Sequence, residues 1–243
     1  MNFYTLGKKS YQPLVILHGW GNSGEQYQEL AKILSEDFYV IVPDLPGFGK
    51  TPPPNKAYDV RDYAKAVQKF LKNQGIEQAI FVGHSFGGRI SMKLASRQPK
   101  LVKILILTGA AGVEKFHFKR SFKRGAYWIV AKKLKLFSFL PPVKRLKERF
   151  YKDRDFGKVE GVMKETFLKV IKENLTKEAK NIQQHTLLVW GAKDQMTPLY
   201  DAEKMHKIIP HNYLQIFTRV GHKLPYEMPH EFAREIVQFV SKY

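Results

Sequence analysis

Ser85, Asp194 and His222 supply a hydroxyl, a carboxylate and an imidazole, the three groups that nucleophilic attack on a carbonyl needs. Ser85 lies in "FVGHSFGGR" (81–89), between glycines and directly after a short apolar run. A Gly-x-Ser-x-Gly pentapeptide occurs by chance, so its weight depends on partners elsewhere in the chain. Asp194 follows "TLLVWGAK" and His222 follows "LQIFTRVG", so acid and base each stand just past a β-rich run, in the order Ser, Asp, His. Upstream, His18-Gly19-Trp20-Gly21 follows "PLVIL" in the same manner. One such loop is a weak signal; several in order form a strong one.

These residues need a scaffold that ends many strands at one edge. The runs 13–19, 38–44, 79–85 and 101–109 are continuously apolar, as expected for strands buried on both faces of a parallel sheet. Between them the helical period returns: Val60, Tyr63, Ala64, Val67, Phe70 and Leu71 recur at three- and four-residue steps before Gly75. A further helix follows Ser85 and stops at Pro99. The rhythm resumes with a strand at 186–194, a helix near 200–208, a strand at 212–222 and a last helix over 227–241. An open parallel sheet binds ligands beyond the carboxyl ends of its strands, which is where the reactive residues fall.

Residues 113–180 break the pattern. Phe122, Ala126, Ile129, Val130, Leu134 and Phe137 mark one amphipathic helix, Val143, Leu146 and Phe150 a second, and Val159 to Ile171 a third. The expected organisation is an α/β core from 1–112 and 181–243, interrupted by an all-helical insertion at 113–180 with no sheet strand.

The 243 residues suffice for one core with a small lid, and the absence of cysteine excludes disulfides and thiolate metal sites. The N-terminus lacks the ordered parts of a secretory signal, and the apolar runs are too short to cross a bilayer. These features lead to the expectation of a cytoplasmic protein. Net charge is +19, and residues 114–152 carry 13 Lys/Arg against Glu114 and Glu148. No H-E-x-x-H, carboxylate cluster or phosphate-loop spacing is present, so no metal and no cofactor are expected.

"LHGWGNSGEQY", "VIVPDLPGFGKT", "FVGHSFGGR", "LLVWGAKDQMTP" and "VGHKLPYEMPHEF" together make the chain resemble the α/β-hydrolase superfamily, in its capped branch of carboxylesterases, lactonases and C–C hydrolases. The resemblance implies an α/β-hydrolase fold, a mostly parallel, doubly wound sheet, with the 113–180 insertion as a lid. It assigns Ser85 as nucleophile on a strained elbow, His222 as base and Asp194 as its partner. It also assigns the oxyanion hole to the backbone N–H groups of Trp20 and Phe86. Relatives that dehalogenate or open epoxides carry Asp at the elbow, so Ser85 points to acyl chemistry. His84 stands where C–C hydrolases often carry Asn, which lowers that option.

Rival placements are few. Where some relatives carry the acid, after "LVKILILTG", this chain reads Gly109-Ala110-Ala111; Asp44 reads as part of a structural loop. His18 and His84 are expected to shape loops or line the substrate pocket, whereas His117, His185, His206, His211 and His230 fit no triad position. Phe122, Trp128 and Phe137 are expected on the underside of the lid, with Lys and Arg on its wet face. The partner expected is a small ester or lactone. The makeup of "WIVAKKLKLFSFL" also fits a basic helix resting on an anionic membrane, while nucleic acid is not expected. The reading that follows is a serine hydrolase of small to medium acyl esters. A lactonase or C–C hydrolase is the alternative on the same triad, and a non-catalytic binding protein the alternative of another class.

Overall fold

The computed structural model describes residues 1–113 and 160–243. The helices expected at 122–137 and 143–150, with Phe122, Trp128, Phe137 and the basic run 114–152, lie outside the described residues.

Seven strands form one sheet in the spatial order β1-β3-β2-β4-β5-β6-β7. They are β1 (Phe3–Leu6), β2 (Pro13–Leu17), β3 (Tyr39–Pro43), β4 (Ala79–His84), β5 (Val102–Thr108), β6 (Thr186–Gly191) and β7 (Asn212–Phe217). Only β1 runs antiparallel, pairing Phe3 with Pro43 through Leu6 with Val40; every other neighbour is parallel. Alternate side chains of a strand point to opposite faces, so a continuous apolar run must be covered twice. Val15, Leu17, Phe81, Leu105, Leu107, Leu188 and Trp190 enter one core, against α2 (Val60–Asn73) and α3 (Phe86–Arg97). Leu14, Ile16, Ile80, Val82, Ile104, Ile106 and Val189 enter the other, against α1 (Gln28–Leu34) and the C-terminal helix.

The helices begin and end where local chemistry dictates. The α2 N-terminus is a capping box: the Asp62 amide donates to Asp59 Oδ1 at 2.8 Å and the Asp59 amide to Asp62 Oδ2 at 3.3 Å. The single C-terminal helix expected over 227–241 divides at Met228-Pro229 into a short turn, Leu224–Glu227, and a longer helix, Pro229–Val240. Proline lacks the N–H that would continue the first helix and suits the start of the second.

After the undescribed stretch come α4 (Gly161–Lys172) and α5 (Thr176–Lys180), with α6 (Leu199–Ile208) between β6 and β7; the two pieces at the C-terminus are α7 and α8. The α4–α5 segment is sewn to the first core. Val170, Leu175 and Ala179 are buried in it. Arg89 Nη1 donates to the carbonyls of Val170 and Glu173 at 2.9 and 3.1 Å, and Lys93 Nζ lies 2.7 Å from both Glu173 and Glu178. Burial opposes both charges of the Lys93–Glu178 pair, but their mutual bonds win, holding the lysine above and the glutamate below their ordinary values.

Candidate active site

Ser85 sits in the one-residue gap between β4 and α3 with φ 52° and ψ −109°, the single non-glycine residue of positive φ among those described. Such a backbone costs on the order of 1–3 kcal/mol and persists only where neighbours hold it. Its amide donates to the Thr108 carbonyl at 2.9 Å, and its carbonyl accepts from the Arg89 amide at 3.3 Å. Two residues on, the Gly87 amide donates to the His18 carbonyl at 3.0 Å. A Cβ on Gly87 would collide with the carbonyl oxygen of Leu17, so only glycine lets α3 come this close to β2.

Asp194 lies in the turn after β6 and is 5% exposed. Its Oδ1 accepts the Met196 and Thr197 amides at 2.9 and 2.8 Å; its Oδ2 accepts the Thr197 hydroxyl at 2.7 Å. His222 Nδ1 stands 2.8 Å from the same Oδ2. Burial works to raise the carboxyl, but the His222 bond and the Thr197 donors outweigh it and hold Asp194 below the usual carboxylate range. A carboxylate only accepts, so His222 carries its proton on Nδ1 and presents a bare Nε2. The turn and the His222 loop are laced together, with the Lys193 amide donating to the Val220 carbonyl at 3.0 Å.

The imidazole lies over the end of β5, beside the strand that bonds the Ser85 amide. Gly109, at φ +54°, has His222 Cε1 2.8 Å from where a Cβ would stand, and the residue before it accepts the Ser85 amide. The rings of His84 and His222 lie 4.8 Å apart, and a Cβ on Gly19 would stand 3.4 Å from Ser85 Cβ. The fold therefore gathers Ser85, Asp194, His222 and the Gly19-Trp20 loop at one end of the sheet. Neighbouring amides are committed, Gly19 to the Tyr27 hydroxyl at 3.2 Å and Gly87 to His18. Phe86 opens α3, so its N–H is a first-turn amide with no acceptor inside the helix.

An aromatic wall borders this edge. The Trp20 ring packs edge-on against Phe48, Phe86 and Phe167 at centroid distances of 4.8, 5.2 and 5.0 Å. Phe167 comes from α4, the described end of the insertion, and Met163 of the same helix covers Gly47.

His18 and His84, expected to shape loops or line the pocket, are 0% and 1% exposed and engaged at both ring nitrogens. The pocket-lining half of that expectation gives way to the loop-shaping one, because every polar atom of both rings is used inside the protein. The Leu45 amide donates to His18 Nε2 at 2.9 Å, so Nδ1 carries the proton and donates to Gly19 O at 2.8 Å. Burial accordingly lowers His18 to about 4. Asp44 is a loop clamp: it accepts the Gly24 and Lys50 amides and the Asn2 side chain at 2.8–2.9 Å. Elsewhere His185 stacks on Tyr243, His206 bonds Asn212 and His230 faces Glu29; His117 lies outside the described residues.

Sequence reasoning missed Thr197, Asn22, Tyr27 and Tyr226, all joined to this site. Thr197 had a signal, since an Asp three residues before a Thr in a turn is placed to accept its amide. Tyr27 and Tyr226 had none, because only the fold brings them together. Among the described residues no cluster of three metal-ligating side chains occurs, and no helix is long and apolar enough to cross a membrane.

Residues 12–137 match the family model for the alpha/beta hydrolase fold, and the chain belongs to that family. It is 30% identical to Lipase 1 of Psychrobacter immobilis, over 89% of this chain and 73% of that protein. It is 24% identical to the 2-hydroxy-6-oxo-2,4-heptadienoate hydrolase of Pseudomonas putida, over 94% of this chain and 89% of that one. Among solved structures it resembles a bacterial membrane phospholipase A at TM-score 0.77 and 27% identity, covering 99% of this chain and 82% of that one. The relatives support hydrolase activity on this fold.

Proposed function

We propose that this protein is a serine hydrolase that cleaves carboxylic esters of small to medium acyl chains through an acyl-enzyme on Ser85. The observation that carries the proposal is the Asp194–His222 pair, bonded at 2.8 Å and seated beside the one strained non-glycine residue described. His222 Nε2 takes the Ser85 proton as Oγ attacks the ester carbonyl, and Asp194 holds the tautomer and stabilises the imidazolium. The Trp20 and Phe86 amides donate to the tetrahedral oxyanion. His222 then protonates the leaving alcohol, and a water activated by the same imidazole releases the acid.

In this reading residues 113–180 form a cap over the site, and the contact of Phe167 with Trp20 supports it as one wall of the acyl pocket. The basic run 114–152 makes salt-dependent co-sedimentation with anionic vesicles a direct check on membrane contact. A C–C hydrolase on the same triad is the second reading, favoured by the similarity to the heptadienoate hydrolase. A lactonase would use the same groups.

The test is a chain-length series of p-nitrophenyl esters on wild type and Ser85→Ala, with fluorophosphonate labelling. Hydrolysis of short to medium esters that vanishes in Ser85→Ala is expected. Equal turnover by Ser85→Ala would overturn the nucleophile, and no labelling of wild type would favour a binding protein. Faster turnover of lactones or of a meta-cleavage dienoate would move the substrate class to the second reading.

A further inference from the structure

Behind Ser85 lies a buried polar chain that the proposed chemistry does not use. His84 Nε2 stands 2.9 Å from the main-chain carbonyl of His222. A carbonyl only accepts, so Nε2 carries the proton. The ring is neutral, because burial and the neighbouring His222 lower it to about 3. Its Nδ1 is therefore a bare acceptor, and two phenols reach it: Tyr27 Oη at 2.7 Å and Tyr226 Oη at 3.0 Å. Those hydroxyls are 2.9 Å apart. The Gly19 amide donates to Tyr27 Oη at 3.2 Å, and Asn22 Nδ2 to Tyr226 Oη at 2.8 Å.

Counting donors fixes the His84 end of the chain. One phenol donates to His84 Nδ1 and the other donates to the first, each oxygen also receiving an N–H from the 19–22 loop. Every group is satisfied whichever phenol donates to Nδ1, the other then donating to the first, and in both cases the chain ends with His84 Nε2 donating to the carbonyl of His222. The opposite His84 tautomer would set a bare nitrogen against a carbonyl oxygen and two hydroxyls against an N–H.

We propose that Tyr27, Tyr226 and His84 are positioning residues that tie the oxyanion loop to the main chain of the base, setting His222 and the Trp20 loop in register about Ser85. The inference rests on the serine-hydrolase reading above. The chain ends on the backbone of His222 while Asp194 holds its ring, so main chain and side chain of one residue are fixed by separate elements. His84 is also the residue before Ser85, so the strut is anchored at the elbow itself.

Because both phenols reach Nδ1, either alone can keep the His84 tautomer, and removing both cannot be compensated. This non-additivity distinguishes a positioning chain from two separate packing contacts. Tyr27→Phe, Tyr226→Phe and the double variant would be compared on a p-nitrophenyl ester for kcat and KM, with thermal unfolding alongside. Each single variant is expected to lose less than about tenfold in kcat, the larger loss at Tyr27, where the Gly19 amide also loses its acceptor. The double variant is expected to lose about 10²-fold or more beyond the product of the singles, with KM little changed, as for a misplaced catalytic group. Losses that simply multiply, or a change in KM alone, would overturn the chain. Should the double variant not fold, His84→Gln, which keeps an N–H donor toward the His222 carbonyl, is expected to retain kcat within about tenfold, while His84→Leu loses about 10²-fold. Equal loss in both would overturn the proposal. Ser85→Ala assayed in parallel separates the two levels: a dead Ser85→Ala with an unimpaired double variant removes the chain alone, whereas an active Ser85→Ala removes the serine-hydrolase reading and the chain with it.

Discussion

Asp194→Asn keeps the size of the acid and removes its charge, and the surrounding donors dictate what the amide does. Two main-chain N–H groups, of Met196 and Thr197, point at Oδ1 from 2.9 and 2.8 Å and cannot turn away. An NH₂ group there would face two donors, so the asparagine carbonyl takes the Oδ1 position and the NH₂ takes that of Oδ2. The Thr197 hydroxyl, 2.7 Å from Oδ2, rotates to accept. His222 Nδ1, at 2.8 Å, must accept as well, which moves its proton to Nε2. In the proposed mechanism His222 would then present an N–H to Ser85 instead of a lone pair, and the imidazolium would lose its anionic neighbour. The expected loss in kcat is about 10⁴-fold, which corresponds to about 5.4 kcal/mol of transition-state stabilisation. Ester hydrolysis measured against pH, with thermal unfolding to show that the fold persists, is the assay. A loss of less than about tenfold in a folded Asp194→Asn protein would refute both the tautomer argument and the role given to Asp194.

Three further outcomes follow from the same structure. Thr197→Val removes one of the two donors to Asp194 Oδ2 and loosens the carboxylate that His222 bonds; kcat on a p-nitrophenyl ester should fall about tenfold, the scale of one hydrogen bond to a charged group, and Thr197→Ser should restore it. Glu178→Ala leaves Lys93 paired with Glu173 alone, so equilibrium unfolding should show a loss of about 1.5–3 kcal/mol, the scale of one charged hydrogen bond. On acidification, His18 and His84 are held neutral to about 4 and about 3, so the unfolded chain binds protons first, below its ordinary histidine value of about 6.5. Stability is whole above that pH and falls as pH drops toward the folded values, so the melting temperature should begin to decline near pH 6, before the carboxylates titrate; a flat melting temperature down to pH 4.5 would contradict this.

The sheet was legible because its strands are buried on both faces. "PLVIL", "KILIL" and "LLVW" are too short and too uniformly apolar for anything else in a chain of this composition, and the reactive residues stand at their ends. The placement of Ser85, Asp194 and His222 beyond β4, β6 and β7 follows from that regularity. β1 was harder. Phe3–Leu6 is a half-exposed edge strand, and its antiparallel pairing depends on how the chain returns to β3, which no local pattern encodes. The break at Met228-Pro229 could have been read from the proline alone. The Tyr27–His84–Tyr226 cluster could not, since its members are 57 and 142 residues apart and each looks like an ordinary polar or aromatic position. Sequence shows what ends a strand; it does not show which buried polar groups must meet to satisfy one another.

That distinction bears on why the elbow keeps its strain. A serine at φ 52° would relax if its flanks were free, yet both are bound to different strands: its own amide to the end of β5, the Gly87 amide to the end of β2. The Gly87 contact also leaves no room for a Cβ against Leu17, so relaxing Ser85 would pull α3 away from Leu17 and break the bond to His18. His18 in turn holds Leu45 through Nε2, and so fixes the loop that carries Phe48 against Trp20. The strain is therefore distributed over β2, β5 and the aromatic wall. It follows that substitutions at His18 should cost activity through the elbow and the Trp20 loop together, although the ring itself is fully buried.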